Sequence, residues 1–306
     1  MSFRKLRAAL MLALGALVWG SAISFQSKAM EHVSPFTFQS IRFLVGGTVL
    51  LPAIYFLGRK DPGEGRPGYK PRGYLAGGAI CGIFLMIACA LQQFGILYTT
   101  VGKAGFLTSL YIIFIPIFGI FLKRKIGLNV WVSVGLAMIG MYLLCMEESL
   151  VLSRGDTLVL VCAVVFTFQI MAVDKYASLY NALKLSCVQF YTAGILFFIA
   201  MFIFEEPNIS SILSAWLPIL YLGVFSCGIG YTFQTIAQKD LQPAMASIIM
   251  SLESVFAVIF GWILLGQKMS VREIIGCVIM FTAIIIAQVF DVNDKENVAE
   301  AKELIE

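Results

Sequence analysis

The chain has 306 residues, 59% of them hydrophobic and only 13% charged, about half the ~25% charged share of a soluble domain. With a mean hydropathy of +0.89 it does not read as a water-soluble enzyme, and no polar stretch is long enough to hold a catalytic domain. The net charge of +4 says little alone and gives no reason to expect nucleic acid as a partner; the placement of the charges says more.

A run of about 20 apolar residues spans a bilayer. The sequence is written as ten such runs, over 8–27, 36–58, 74–97, 102–122, 128–146, 156–176, 184–204, 214–236, 243–265 and 272–290. The first follows Arg4, Lys5 and Arg7, as a secretory signal does, but it continues to about Phe25 and has a counterpart later in the chain, so it reads as a retained helix. It carries Gly15, Trp19, Ala22 and Gln26 three or four residues apart. The second run places Gln39, Arg42 and Gly46 on one helical face. The linker 59–72 holds Pro62, Gly63, Gly65, Pro67, Gly68 and Pro71, which is loop chemistry. Gly78, Gly82, Cys89 and Gln93 approximate one face of the third run, and the fourth opens at Lys103 with Tyr111 two turns on. Gln169 sits late in the sixth, and the eighth repeats the small-and-polar stripe with Gly223, Cys227, Gly230 and Gln234. Glu253 lies near the middle of the ninth, followed on its face by Ala257 and Gly261. The charged tail 291–306 reads as an exposed extension.

The seven cysteines (Cys81, Cys89, Cys145, Cys162, Cys187, Cys227 and Cys277) all fall inside apolar runs without metal-binding spacing, so they read as small packing residues. His32 is the only histidine, which leaves little for a His-based metal site or a Ser-His-Asp triad. No Walker loop is present and no cofactor motif is found, so a gradient must supply any driving force.

The ten runs divide into two copies of five. At an offset of 142, eight of the 23 residue pairs between 103–125 and 245–267 are identical, among them Ser109/Ser251, Phe118/Phe260 and Gly119/Gly261. At an offset of 147, Trp19 falls on Phe166, Arg42 on Gln189, Phe43 on Phe190 and Gly47 on Gly194. An odd number of spans per copy inverts the second copy in the membrane, an arrangement associated with transporters. With the N-terminus in the cytoplasm, inside segments carry sixteen Lys and Arg and outside segments five, which puts both termini inside.

Several segments resemble the EamA-type branch of the drug/metabolite transporter superfamily. They are Val18-Trp19-Gly20, Ser34-Pro35 with Ile41-Arg42-Phe43, Gly102-Lys103-Ala104-Gly105 running through Tyr111 to Pro116, Ala246-Ser247 through Leu252-Glu253, and Gly261-Trp262 to Leu265-Gly266. The resemblance implies an all-α integral membrane protein of ten transmembrane helices in two inverted five-helix repeats, 1–146 and 147–290, followed by the cytoplasmic tail 291–306. Departures are Gln267 where the family often has Glu, Ser254 where it often has Pro, and Phe166-Thr167 where the first half has Trp-Gly.

The polar groups inside the runs need explaining, because an ion at the bilayer centre costs roughly 2.5–3.5 kcal/mol on insertion scales. Arg42 reads as an anchor for an anionic group or as a structural tie to another helix. Glu253 reads as a proton carrier, as a counter-charge for a cation, as a partner for Arg42 or Lys103, or as one half of an interhelical hydrogen bond. Lys103 draws anions into a vestibule or snorkels at the interface. Gln93, Gln169 and Gln234 are cavity candidates because lipid cannot satisfy their amides, Tyr111 aligns with Glu253 between the halves, and Trp19 stacks on a planar solute or fills the core. With the resemblance, the expected activity is secondary transport across the cell membrane. The first candidate is export of an amino acid or related compound, with protons as a possible coupling ion, and the alternative is export of bulky organic cations. A channel, a non-transporting membrane protein and a membrane enzyme are less well supported.

Overall fold

The computed structural model describes residues 3–57, 61–99, 101–124, 126–145, 153–265 and 270–289. The expectations for Gln267 and for the tail 291–306 therefore fall outside the described residues. Among these residues the regular structure is entirely helical. Helices α1 (Phe3–Ala29), α2 (Pro35–Leu57), α3 (Gly73–Ile96), α4 (Val101–Thr108), α5 (Tyr111–Phe121) and α6 (Leu128–Cys145) make up the first half. The second half comprises α7 (Arg154–Ala177), α8 (Ala182–Phe204), α9 (Ile209–Ser214), α10 (Trp216–Tyr221), a π-helical segment (Leu222–Tyr231), α11 (Thr232–Ala237), α12 (Pro243–Met250), α13 (Leu252–Leu265) and α14 (Val271–Val289).

Among the described residues each of the ten apolar runs is helical, and eight helical stretches are long and apolar enough to cross a bilayer. Leu128–Leu144, in α6, is a shorter apolar helix. Three runs expected to be continuous are interrupted. The fourth breaks between Thr108 and Tyr111, the ninth at Ser251, and the eighth widens into the π segment. The first two breaks fall on the same alignment position, since Ser109 and Ser251 are equivalent at the offset of 142. At both, backbone bonds tighten to i→i−3, as in Ile112 N–H to Ser109 O (3.0 Å) and Ser254 N–H to Ser251 O (3.1 Å).

Packing runs mainly between the halves. α3 lies on α7 and α8, α2 on α8 and the π segment, α1 on α13 and on the π segment with α11, and α6 on α14. At the crossing of α2 and α8, a Cβ on Gly47 would meet the Tyr191 ring at 3.1 Å, and one on Gly194 would meet Leu44 at 2.9 Å. Leu44 and Tyr191 are themselves equivalent at the offset of 147. Small residues permit this close approach, which supplies packing where lipid offers no hydrophobic driving force. The outward faces remain apolar and exposed, as at Phe198, Phe202 and Ile203 of α8.

The helix starts are capped reciprocally. At the face where α2 begins, Glu205, just past the end of α8, accepts from Phe36 N–H and Thr37 N–H (both 2.8 Å) and from the Thr37 hydroxyl (2.8 Å). At the face where α1 begins (the N face), Asp61, in the loop after α2, accepts from Asn181 N–H (3.1 Å) at the start of α8. Asp61 also takes the Tyr69 hydroxyl (3.2 Å) and pairs with Lys184 (3.5 Å). Arg7 pairs with Asp240 (3.5 Å) and Arg124 with Asp174 (2.7 Å) on this same N face. At the opposite face Thr99 bonds Asp156, which forms a capping box with Ser153 at the start of α7.

Candidate functional site

The interior is assembled where α1 packs on α13 and on the π segment and α2 packs on the π segment, with Tyr111 of α5 within electrostatic reach of Glu253. Arg42 is buried, with its charge spread over neutral acceptors. Its Nε donates to Cys227 Sγ (3.4 Å), one terminal nitrogen to Gln39 Oε1 (3.3 Å) and the other to Ser226 Oγ (3.1 Å). Its guanidinium carbon stands 5.1 Å from the Phe43 ring centroid. Glu253 is only half-buried, and among the described residues neither a hydrogen bond nor an ion pair reaches its carboxylate. It lies within electrostatic reach of Arg42 and of Tyr111. The pairing of Glu253 with Arg42 allowed by the sequence is therefore not made as a contact ion pair, and the Lys103 side chain lies outside the described residues.

The breaks in the helices put these groups where they are. Tyr111 is the first residue of α5 and Glu253 the second of α13, so both stand in the opening turn of a half-helix that starts inside the protein. A carboxylate in that turn faces the positive end of the helix. Ser251 does not cap α13; its hydroxyl donates back to Ile248 O (2.7 Å). Gly20 brings α1 against this turn, because a Cβ there would lie 2.7 Å from Glu253 O. Trp19, its neighbour, is 9% exposed and donates Nε1–H to Ser226 O (3.3 Å) of the π segment. π geometry diverts carbonyls from the usual ladder and is frequent at functional sites. Tyr231 ends the segment, with its ring 5.0 Å from Trp19, and is in electrostatic reach of both Arg42 and Glu253.

The glutamines divide into two networks. In the first, Gln93 Oε1 accepts from Gln39 Nε2 (3.2 Å) and from Gln26, which links the chain to Arg42. In the second, Gln234 Nε2 donates to Gln169 Oε1 (3.4 Å), and Gln169 Nε2 donates to Gln189 Oε1 (3.3 Å). Of the residues singled out in the sequence, Trp19, Arg42, Tyr111 and Glu253 gather at the centre and Gln93 joins them through Gln39, whereas Gln169 and Gln234 belong to the separate network. Tyr231 was not singled out, although it lies four residues from Cys227 and so on the stripe that was. An open groove of about 530 Å³ lies elsewhere, at the face where α2 begins, lined by Ser34, Pro35, Phe36, Phe94, Phe204 and Glu205. Among the described residues no cluster of His, Cys, Asp and Glu is arranged to hold a metal ion.

The comparisons with known proteins agree with this architecture. The EamA-like transporter family matches the chain twice, over residues 6–146 and 153–288. An uncharacterized transporter of Archaeoglobus fulgidus is 29% identical over 290 residues, covering 92% of this chain and 86% of its own. An uncharacterized transporter of Clostridium kluyveri is 29% identical, covering 89% of this chain and 88% of its own. The uncharacterized inner membrane transporter YedA of Escherichia coli K12 is 24% identical, covering 88% and 87%. A solved crystal structure superposes with a TM-score of 0.76 at 18% identity, over 92% of this chain and 96% of that one, a likeness of fold. With both halves matched and the apolar helices described above, this chain is a multi-pass membrane protein and belongs to the EamA-like transporter family.

Proposed function

We propose that the protein is a secondary carrier that exports a small zwitterionic metabolite, an amino acid or close relative, by alternating access. One observation carries the reading. Opposite charges are held at the centre without neutralising each other, Arg42 on neutral acceptors and Glu253 on none. A buried ion is costly unless paired, and a zwitterion supplies both partners. Its carboxylate would take the Arg42 fork and its ammonium Glu253, with Trp19, Tyr111 and Tyr231 as walls. Glu253 is also the candidate for proton coupling, since a carboxyl group that meets a cationic solute in one state is free to take a proton in another.

The same reading takes the ten runs as ten spans in two inverted repeats, 1–146 and 147–290, with both termini and the tail 291–306 in the cytoplasm. It is supported by the aligned breaks at Ser109 and Ser251, the reciprocal caps on α2 and α8, and the packing of α6 on α14. The excess of Lys and Arg on the N face supports the orientation. The N-face ion pairs would hold that face shut in the present state and open when the halves rock.

A second reading, export of an organic cation, is favoured by Tyr111 and Tyr231, both within electrostatic reach of Glu253, because aromatic faces attract cations. Proteoliposome uptake decides between the two. The panel is labelled amino acids and quaternary ammonium compounds, with and without a proton gradient, on the wild type and Glu253→Gln. Saturable amino-acid uptake that loses its pH dependence in the variant supports the first reading. Cation uptake alone supports the second, and saturable uptake unchanged in the variant removes Glu253 from the cycle.

A further inference from the structure

Gln189 stands in the second half where Arg42 stands in the first. Arg42 lies seven residues into α2 from Pro35, and Gln189 seven residues into α8 from Ala182, so each is about 10 Å deep at 1.5 Å per residue. The two helices start at opposite faces, so the depths are measured from opposite sides. Each position is joined to an amide network built from equivalent helices. α1, α2 and α3 supply the first; α7, α8 and α11 supply the second. Each network also holds one amide nitrogen, Gln93 Nε2 or Gln189 Nε2, that is buried with no partner among the described residues. Both side chains are 1% exposed. An unpaired buried donor is costly, and one in each network asks for an acceptor that comes and goes.

Resting on the carrier reading above, we propose that the cluster around Gln189 is a second solute subsite on the N-face side, taking the carboxylate or carbonyl oxygen that Arg42 holds on the other side. The cluster has the right chemistry for this. Among the described residues Gln189 Nε2 is a buried donor with no partner, and Gln238, whose Nε2 donates to Ile170 O (3.0 Å) next to Gln169, carries a buried Oε1 with no partner. The exchange of Arg for Gln between the two stations also has a consequence. A hydrogen bond from an ionised donor is about twice as strong as a neutral one, so the solute is held tightly on the Arg42 side and loosely on the Gln189 side.

The test is substituted-cysteine labelling of the full chain in membrane vesicles of both orientations. Gln189→Cys is the probe, with Gln238→Cys as a second should the first accumulate poorly. The reagent is a membrane-impermeant methanethiosulfonate, and an equimolar mixture of the common amino acids is the protectant. The subsite predicts labelling from the N face alone, slowed at least fivefold by the mixture. Labelling from the opposite face, no labelling from either, or labelling that the mixture leaves unchanged overturns it and leaves the lone donor to trapped water. Uptake of the same mixture by the unaltered chain is measured in parallel. Uptake without protection removes the subsite and keeps the carrier; protection without uptake keeps the subsite and removes the carrier.

Discussion

At the scale of single residues, the sequence exposed the two ions because a charge inside an apolar run has no bland explanation in lipid. Arg42 and Glu253 are therefore legible, and both reach the centre of the protein. What they touch is not legible, because partners come from helices far away in sequence. Cys227 and Ser226 on Arg42 lie more than 180 residues on. Tyr231 passed unnoticed because a tyrosine in an apolar run is ordinary, and only its place beside Trp19 makes it matter. Gly20 gives a sharp test. Its missing Cβ would meet backbone of α13 at 2.7 Å, whereas a Cβ on Gly135 would meet nothing within 4 Å. Gly20→Ala should therefore destabilise by about 1–3 kcal/mol, as overpacking does, and Gly135→Ala should not. Equal melting temperatures for the two variants in detergent would refute the close contact. Lys239 offers a test by pH. Partial desolvation of its ammonium, on a side chain that still reaches water, pulls the pKa below the ordinary lysine value of 10.5, and Asp240 and Asp61 offset this only in part. The folded state thus disfavours the charged form, a penalty complete below the lowered pKa and fading as pH rises toward 10.5. Lys239→Gln should raise the melting temperature slightly at pH 7 and flatten the alkaline rise, with a small effect because the side chain is exposed. A lower melting temperature at pH 7 would mean that the two carboxylates dominate.

At the scale of elements, the ten helical runs were readable from apolar length, and their ends fall within a few residues of the expected ones. The interruptions were not. Nothing in the local sequence at Ser109 or Ser251 forces a break, since serine is tolerated within helices; the breaks occur where α12 lies across α5 between the halves. The π segment has a readable element, three glycines at 223, 228 and 230, but glycine also serves close packing, and the sequence does not separate the two uses. The reciprocal caps were likewise hidden, because Glu205 reads as an ordinary loop carboxylate until it is seen on the first turn of α2. Replacing a cap acceptor costs about 0.5–2 kcal/mol, and this one accepts three bonds. Glu205→Ala should lose about 2 kcal/mol in thermal unfolding, and Glu205→Gln should lose less. An unchanged melting temperature in Glu205→Ala would show that water replaces the carboxylate at no cost.

At the scale of the whole molecule, the duplication is the feature on which the account turns. It is read from matching residues at two offsets, and it is supported by the match of both halves to one family model, by breaks that fall on one alignment position, and by carboxylates that cap α2 and α8 at opposite faces. It predicts topology directly. In a cysteine-free background, Glu64→Cys after α2 should react with an impermeant thiol reagent only from the cytoplasm, and Glu206→Cys after α8 only from outside. Reaction of both from one side would break the inverted arrangement. The central claim, that Arg42 and Glu253 together receive a zwitterion, calls for a binding measurement on purified protein. An amino acid taken up in the panel is competed against its decarboxylated amine and its carboxyl ester, on the wild type and on Arg42→Gln. The account predicts that the wild type prefers the zwitterion at least tenfold over both analogues and that Arg42→Gln erases the preference. A wild type that binds the amine as tightly as the amino acid would contradict it.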